Sequence, residues 1–300
     1  MKHFYQYNNL ETKISKFYNA NHKRINEKDL PNDIQKVAMG FPYAILFHPP
    51  LEGKIYAYVI DKAGRKQYFY TKKYKEKMSS EKYKKFPKLI DKVDLLLNYC
   101  RTHKNNLTTA ILLMNDCHFR IGHEKYKKLY NTNGTLSLGS SHMEKKDGNI
   151  KIEFLGKKKE KNICILSKKE SNLYKTIDDF IRKNGNKLFN DLKYDKVYDF
   201  LRDYGLRPKD IRQVSANKEF YNNMRRYKFT GDYMSKKDVK KYLKNLLEVT
   251  SESMNHTAGV CKKEYLMPQW FLLYGEDFLK MYNYIKKSDF KKSIKYIIKK

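Results

Sequence analysis

The sequence is poor in acidic residues relative to basic ones. Lys and Arg together number 64, whereas Asp and Glu number 33, so the formal net charge is 64 − 33 = +31. An excess of this size argues against an ordinary enzyme of neutral metabolites and predicts a polyanion as the partner. Because 40% of the residues are hydrophobic and 14% are aromatic, a folded protein carries this charge, not a disordered basic tail.

Long hydrophobic runs are also missing. No segment approaches the roughly 18 consecutive apolar residues that suggest a membrane-spanning helix. The first residues, Met-Lys-His-Phe-Tyr-Gln, are not followed by the apolar run of a secretory signal. We therefore expect a soluble intracellular protein with no membrane partner.

The cysteines are few and lie far apart in the sequence. They are Cys100, Cys117, Cys164 and Cys261, and no two have the close spacing of a zinc site or a thioredoxin-like motif. We expect four reduced, buried thiols. The sequence also has no cluster of carboxylates that would hold a metal ion, and no internal repeat.

The first part of the chain predicts a small antiparallel sheet. The segments Tyr43–His48, Lys54–Asp61 and Lys66–Tyr70 are rich in Tyr, Ile, Val and Phe and are separated by turn residues, which is typical of a three-stranded meander. Residues 1–35 are polar and mixed and predict no definite element. We expect a β-rich N-terminal domain over residues 1–78.

The rest of the chain predicts a larger, mainly α-helical domain over residues 79–300, so the fold class is α+β. Residues 71–88 are mostly lysine and polar residues, and we interpret them as the crossing between the domains. The expected strands are 134–138, 141–143, 150–155 and 162–167. The expected helices lie around residues 90–100, 110–119, 173–181, 197–204, from Pro208, from Val239 and over 278–300.

The segment Glu252–Trp270 offers a nucleophile and a phosphate ligand together. On one unbroken helix His256 and Tyr265 would lie about 13.5 Å apart along the axis and on opposite faces. A turn at Thr257–Val260, made possible by Gly259, would let the two side chains meet. Packing is the alternative role for one of 26 tyrosines.

Basic residues recur at three further places in this domain. Arg120 follows the predicted helix 110–119 in the sequence Phe119-Arg120-Ile-Gly122, and Lys209 and Arg212 lie in the helix opened by Pro208. A predicted hairpin has the tip Gly156-Lys-Lys-Lys-Glu-Lys161. Its four lysines could form a solvated loop, or one of them could reach a phosphate, and spacing does not select which.

Five motifs together resemble the type IB DNA topoisomerases, and the poxvirus-type enzymes look closest. The motifs are the strand Gly64-Arg-Lys-Gln67-Tyr68-Phe-Tyr70, the corner Phe119-Arg120-Ile-Gly122, the hairpin Phe154-Leu-Gly156-Lys157, the pair Lys209-x-x-Arg212, and His256 followed by Tyr265. They occur in the family's order and cover roughly residues 55–300. The fold this resemblance implies is the catalytic domain shared by tyrosine recombinases and type IB topoisomerases.

The resemblance implies a mechanism. In this family a tyrosine attacks a DNA phosphodiester and forms a 3′-phosphotyrosyl bond, which is religated after the duplex has rotated. Tyr265 matches the nucleophile, Arg120, Arg212 and His256 match the donors that neutralise the phosphate, and Lys157 matches the general acid for the 5′-oxygen. Because the covalent bond conserves the energy, neither ATP nor a metal ion nor another cofactor is expected.

The resemblance also implies contacts with double-stranded DNA. The predicted DNA-binding residues are Gln67, Tyr68, Tyr70, Lys125, Tyr126 and Lys209. Tyr68 and Tyr70 share one face of a strand, where packing is the alternative to nucleic-acid contact. The family carries a lysine at the position of His123. The two domains would clamp the duplex, with the protein as a monomer; for a viral enzyme the location would be the virion and the host cytoplasm.

Two other functions fit part of this pattern. Tyrosine recombinases share the Arg, Lys, Arg, His and Tyr set, but they usually carry histidine where this chain has Lys209, and their N-terminal part is helical. A non-catalytic DNA-packaging protein would explain the charge but not the five motifs. Relaxation of supercoiled plasmid in EDTA would separate the three functions.

Overall fold

The chain folds into two compact units, Met1–Lys84 and Lys85–Lys300. The computed structural model describes residues 2–9, 11–12, 14–32, 41–61, 64–169, 173–183 and 186–299, with the side chains of Lys2 and Tyr126 left aside. The first unit is built on an antiparallel sheet, and the second is mostly helical with a small sheet. The predicted α+β class is confirmed.

The sheet of the first unit has six strands within the described residues. They are β1 (Lys2–Asn8), β2 (Ser15–Asn19), β3 (Arg24–Ile25), β4 (Tyr43–Leu51), β5 (Ile55–Ile60) and β6 (Lys66–Tyr70), in the order β3-β2-β1-β4-β5-β6. Its core includes Phe17, Leu46 and Val59. The predicted meander corresponds to β4, β5 and β6. Strands β1 to β3 were not predicted, because polar residues and tyrosines alternate there with few aliphatic side chains.

Helix α1 (Lys72–Lys84) ends the first unit. The sequence predicted that residues 71–88 cross between the domains and bury almost nothing. The structure forms a helix there, and Tyr83 is its buried residue. The predicted domain boundary after residue 78 falls inside α1, whereas the structure divides the chain after Lys84.

The second unit contains the remaining helices of the described chain. They are α2 (Phe86–Thr102), α3 (Asn106–Asp116), α4 (Glu124–Tyr130), α5 (Tyr174–Arg182), α6 (Tyr194–Asp203), α7 (Pro208–Arg226), α8 (Lys236–Ser253), α9 (Ala258–Glu264), α10 (Gly275–Lys287) and α11 (Phe290–Ile298). Their buried faces carry large apolar side chains such as Ile90, Leu113, Phe220 and Phe278. No helix within the described ranges is both long enough and apolar enough to cross a membrane.

A three-stranded antiparallel sheet in the second unit carries the predicted lysine hairpin. Its strands are β7 (Met143–Lys146), β8 (Asn149–Leu155) and β9 (Lys161–Ser167), in the order β7-β8-β9. The predicted alternation holds in β8, where Ile150, Ile152 and Phe154 are buried. The strand predicted at 134–138 is wrong: Thr135–Ser137 form a short 3-10 helix, stabilised by the Ser137 hydroxyl bonding the Gly134 backbone.

Two glycines let the segment after α3 lie against the segment before β7. A Cβ atom added to Gly134 would lie 2.5 Å from Gly122 Cα and 2.8 Å from the Arg120 carbonyl oxygen. The same two segments are joined by a hydrogen bond from Thr135 N to Arg120 O (2.9 Å). The backbone position of Arg120 therefore depends on the absence of a side chain at residue 134.

The predicted state of two cysteines is wrong. Cys117, at the end of α3, forms a disulfide with Cys164 in β9, with their Cα atoms 5.3 Å apart. Their sequence separation of 47 hid this pairing, because no local motif links the end of α3 to a position in β9. Cys100 and Cys261 are buried free thiols, as predicted, and burial raises the pKa of each to about 12.

Gly134→Ala should lower the free energy of unfolding by about 1–3 kcal/mol, the usual cost of forcing extra volume into a packed site. The new methyl would meet backbone atoms, which cannot rotate away. Gly259→Ala is the matched control, because a Cβ there meets nothing within 4 Å. Denaturant unfolding measures both variants. Equal stability of Gly134→Ala and the parent would contradict the close approach.

Candidate active site

Helix α7 places Arg212 in the interior of the second unit. The helix begins at Pro208, and Asp210 caps it by accepting a hydrogen bond from Arg207 N (2.9 Å). Arg212 lies just beyond this first turn and is only 3% exposed. A cation this deeply buried needs hydrogen-bond acceptors for its guanidinium group.

Three chain segments supply those acceptors. Arg212 Nε donates to the His118 carbonyl oxygen (2.8 Å), Nη1 donates to Tyr265 Oη (2.6 Å), and Nη2 lies 2.8 Å from His256 Nε2. Burial lowers the pKa of Arg212 to about 10, so the group remains a cation at neutral pH. Three predicted site residues, Arg212, His256 and Tyr265, therefore meet at one guanidinium.

The approach of His256 to Tyr265 was predicted, but the turn that produces it was misplaced. Helix α8 ends at Ser253, Asn255 adopts a left-handed conformation (φ 54°), and the Thr257 side chain caps α9 by accepting from Val260 N. Gly259 lies inside α9, so the break comes before it. The rings of His256 and Tyr265 stack with centroids 4.8 Å apart.

Arg120 reaches the same histidine from the other side. The sequence predicted Arg120 at the end of a helix, but α3 ends at Asp116, so Arg120 lies in the non-helical segment that follows it. Its Nη2 is 3.5 Å from His256 Nδ1. A neutral imidazole accepts at one nitrogen only, so the short contact of Nε2 with Arg212 leaves Nδ1 protonated and facing a second donor. The cluster therefore presents converging donors suited to an added anion.

The fifth predicted catalytic residue, Lys157, lies at the exposed tip of the β8–β9 hairpin. It begins a short 3-10 turn, Lys157–Lys159, which is closed by a hydrogen bond from Lys159 N to Gly156 O (2.9 Å). In the described part of the chain, no hydrogen bond joins its ammonium group to the other four predicted catalytic side chains. The structure thus assembles four of the five residues and leaves the fifth on the hairpin.

Asn217, which was not predicted, fixes the backbone around the tyrosine. Its Nδ2 donates to Tyr265 O (2.9 Å) and to Gln213 O (2.8 Å), while its Oδ1 accepts from Met267 N (3.0 Å) and Trp270 Nε1 (2.8 Å). Since Asn217 also lies on α7, one helix positions both Arg212 and Tyr265. An asparagine among buried apolar residues of a helix was the available sequence signal.

Lys209 lies close to the nucleophile. Its Nζ pairs with Glu264 Oε2 (2.8 Å) and lies 5.7 Å from the centre of the Tyr265 ring. Both partners of the pair are about half exposed, so the pair is a weak, screened one. The DNA contact expected of Lys209 stays a prediction.

The other predicted DNA-binding residues lie on two elements. On β6, Tyr68 is 45% exposed and its ring centroid lies 6.4 Å from that of Tyr70, while Gln67 Nε2 donates to Asp61 Oδ2 (2.9 Å). On α4, Lys125 is exposed, and the Tyr126 side chain lies outside the described residues.

His123, which replaces the lysine expected in this family, has a role in the structure. Its Nδ1 accepts from Lys125 N (3.1 Å), which caps the start of α4. The described residues contain no group of three His, Cys, Asp or Glu side chains arranged as metal ligands.

Comparisons with known proteins identify the family of this chain. The family described as eukaryotic DNA topoisomerase I, catalytic core, matches residues 71–289. DNA topoisomerase 1 of Rabbit fibroma virus (strain Kasza) is 30% identical over 223 residues, covering 69% of this chain and 68% of its own length. The chain belongs to the type IB DNA topoisomerases, and to their poxvirus type.

Two further relatives support the assignment of this chain to the family. DNA topoisomerase 1B of Vaccinia virus (strain Copenhagen) is 29% identical over 217 residues, covering 69% of the chain and 68% of the relative. DNA topoisomerase 1B of Acanthamoeba polyphaga mimivirus is 27% identical over 238 residues, covering 71% and 70%. The assignment favours a topoisomerase over the recombinase and packaging alternatives.

The neutral state of His256 gives this topoisomerase a testable dependence on pH. Burial, then Arg212 and Arg120, lowers the pKa of His256 from 6.5 to about 3. Between these values the unfolded chain binds a proton that the folded chain excludes, so stability falls as the pH falls through this window. His118 adds to the effect, because burial lowers its pKa to about 4.

His256→Gln should therefore lose less stability than the parent between pH 6.5 and 4, whatever its stability at pH 7. Denaturant unfolding at a series of pH values gives the slopes, and NMR of the His256 ring should show no protonation near pH 6. Identical slopes, with the ring titrating near 6.5, would contradict the burial of this histidine between two arginines.

Proposed function

We propose that this topoisomerase relaxes supercoiled duplex DNA by transient cleavage of one strand through Tyr265. The tyrosine oxygen attacks the scissile phosphorus and forms a 3′-phosphotyrosyl bond, the bond from phosphorus to the 5′-oxygen breaks, and religation reverses these steps. The observation that carries the proposal is the guanidinium of Arg212, which contacts both Tyr265 Oη (2.6 Å) and His256 Nε2 (2.8 Å).

The same donors would stabilise the five-coordinate phosphate. Negative charge grows on its non-bridging oxygens, and Arg120, Arg212 and His256 converge where a phosphate beside Tyr265 Oη would lie. Charged donors fixed before the reaction stabilise such a state without reorganisation, and planar guanidinium groups can each engage two oxygens. Arg120 Nη2 and His256 Nδ1 face each other at 3.5 Å as two donors without a shared acceptor. This arrangement supports an anion as the acceptor for both.

The departing 5′-oxygen requires a proton, which we assign to Lys157. Lys157 is exposed at the hairpin tip, and a lysine ammonium group can serve as a general acid. Because Lys157 is not within the four-residue cluster, this role requires the hairpin to meet the leaving group in the complex. Lys158 and Lys159 are its neighbours on the same turn and compete for the assignment.

DNA binding would use the exposed basic and aromatic residues of both units. We propose phosphate contacts by Lys125 and Lys209, and groove contacts by Gln67, Tyr68, Tyr70 and Tyr126. The net charge of +31 supports a large electrostatic part in the affinity. We further propose that the enzyme acts as a monomer inside the cell and needs neither ATP nor a metal ion, since side chains supply every step above.

The protein should relax both positively and negatively supercoiled plasmid in EDTA without ATP. Tyr265→Phe should still bind DNA but should form no adduct that survives SDS, because it lacks the attacking oxygen. Tyr274→Phe is the matched control: this tyrosine is 53% exposed, and its loss of a hydroxyl should leave the adduct intact. A strict requirement for Mg²⁺, or an adduct formed by Tyr265→Phe, would refute the proposal.

A further inference from the structure

Strand β9 has a side-chain contact with the turn that presents His256. The strand lies at one edge of the small sheet, and Ile163 N donates to Asn255 Oδ1 (2.6 Å). Asn255 immediately precedes His256 and holds the left-handed conformation between α8 and α9. This bond connects the histidine turn to the hairpin strand across 92 residues of sequence.

The disulfide attaches the next residue of β9 to the segment that carries Arg120. Cys164 follows Ile163, and its partner Cys117 directly precedes His118. The His118 carbonyl accepts from Arg212 Nε (2.8 Å), and Arg120 lies two residues further on. Thus β9 is joined at consecutive residues to the segments that carry His256 and Arg120.

The start of β9 is in turn fixed to the lysine hairpin. Gly156 N donates to Glu160 O (2.8 Å), and Asn162 Nδ2 donates to the same carbonyl oxygen (2.9 Å). The Asn162 side chain also packs against Gly156, where an added Cβ would lie 2.4 Å from Nδ2. A shift of β9 would therefore move the turn that begins with Lys157.

An open cavity gives solvent access to this junction. Its volume is about 600 Å³, and its lining includes Cys117, Cys164, Asn255 and His256. A small dithiol could enter it and attack the disulfide. Neither the disulfide nor the Asn255 contact has a part in the chemistry proposed for Tyr265, so their role must be structural, positional or regulatory.

We propose that Asn255 is a positioning residue that attaches strand β9 to the His256 turn. The Cys117–Cys164 bond is a second, redox-sensitive attachment of β9, to the segment that carries Arg120. Together they hold the Lys157 hairpin in place relative to Arg120 and His256. A dithiol would reduce the disulfide to two thiols, giving up two electrons and two protons as it closes to its own disulfide. The inference rests on the proposed function, since its effect is on the proton that Lys157 gives to the 5′-oxygen.

Asn255→Gly tests the attachment of β9 through Asn255. Glycine keeps the left-handed backbone but removes the acceptor, whereas Asn255→Asp keeps an acceptor oxygen and should restore most of the rate. Single-turnover cleavage by Asn255→Gly should fall about tenfold to a hundredfold, the scale expected for a misplaced catalytic group. A substrate with sulfur as the bridging 5′-atom should recover the rate, because a thiolate leaves without protonation. Lys157→Ala provides the reference for such a recovery.

Reduction of the Cys117–Cys164 disulfide tests the second attachment of β9. Dithiothreitol should slow the parent on the ordinary substrate to the rate of Cys164→Ser, and should not affect Cys164→Ser itself. Cys100→Ser, which changes a buried free thiol, is the matched control and should respond as the parent does. In denaturant without reductant, the parent should have two reactive thiols, Cys100 and Cys261.

The outcomes separate this inference from the proposed function. If the parent forms no adduct with either substrate, the proposed function fails. If the parent reacts but Asn255→Gly equals it, or is equally slow on both substrates while Lys157→Ala is rescued, the positioning role is overturned. Four reactive thiols in the protein purified without reductant, or a cleavage rate indifferent to dithiothreitol, would overturn the redox role.

Discussion

A buried guanidinium group is the constraint on which the second unit depends. Arg212 is 3% exposed, and leaving such a cation without acceptors would cost several kcal/mol. Its acceptors come from the segment after α3, from the turn between α8 and α9, and from the end of α9. Three distant parts of the sequence therefore have to converge on α7 for the cation to be tolerated, and the convergence creates the site.

The cluster of Arg120, Arg212 and His256 has fewer hydrogen-bond acceptors than donors, and this shortage favours the binding of an anion. Two arginines flank one neutral histidine, which can accept from only one of them. Burial is the main cause of the lowered pKa of His256, and the positive charges of the two arginines lower it further. No carboxylate contacts Arg120 or Arg212 in the described residues. An incoming phosphate would supply the negative charge and the acceptor oxygens that the free protein lacks there.

Sequence patterns predicted the elements that alternate or repeat regularly. The meander β4–β6, the buried alternation of β8 and the helix opened by Pro208 follow from local periodicity and turn chemistry. The resemblance to a family named Arg212, His256 and Tyr265, and the structure places these three in contact. Local pattern was sufficient for the strands and the helix, because each lies within one element or one turn, whereas the three site residues were named by the resemblance.

The features that were missed depend on contacts between distant segments. Residues 134–138 were predicted as a strand, but Thr135–Ser137 form a 3-10 helix, and Gly134 before it lies against the backbone of Gly122. The contacts of Asn217 and the Cys117–Cys164 bond could not be located from local sequence pattern, since their partners lie 48 and 47 residues away. The break before α9 was assigned to Gly259 because glycine is the usual helix terminator, whereas Asn255 adopts the left-handed conformation here.

The central claim is that the guanidinium fork of Arg212 acts in the transition state and not in DNA binding. Single-turnover cleavage and the equilibrium Kd should be measured side by side for Arg212→Ala, for Arg212→Lys, and for Arg225→Ala as a control on the same helix. Both Arg212 variants should cleave about 10²–10³-fold more slowly with Kd changed far less, because an ammonium group cannot reproduce the fork, while Arg225→Ala should cleave like the parent. Cleavage by Arg212→Ala within tenfold of the parent, or a loss confined to Kd, would contradict the account.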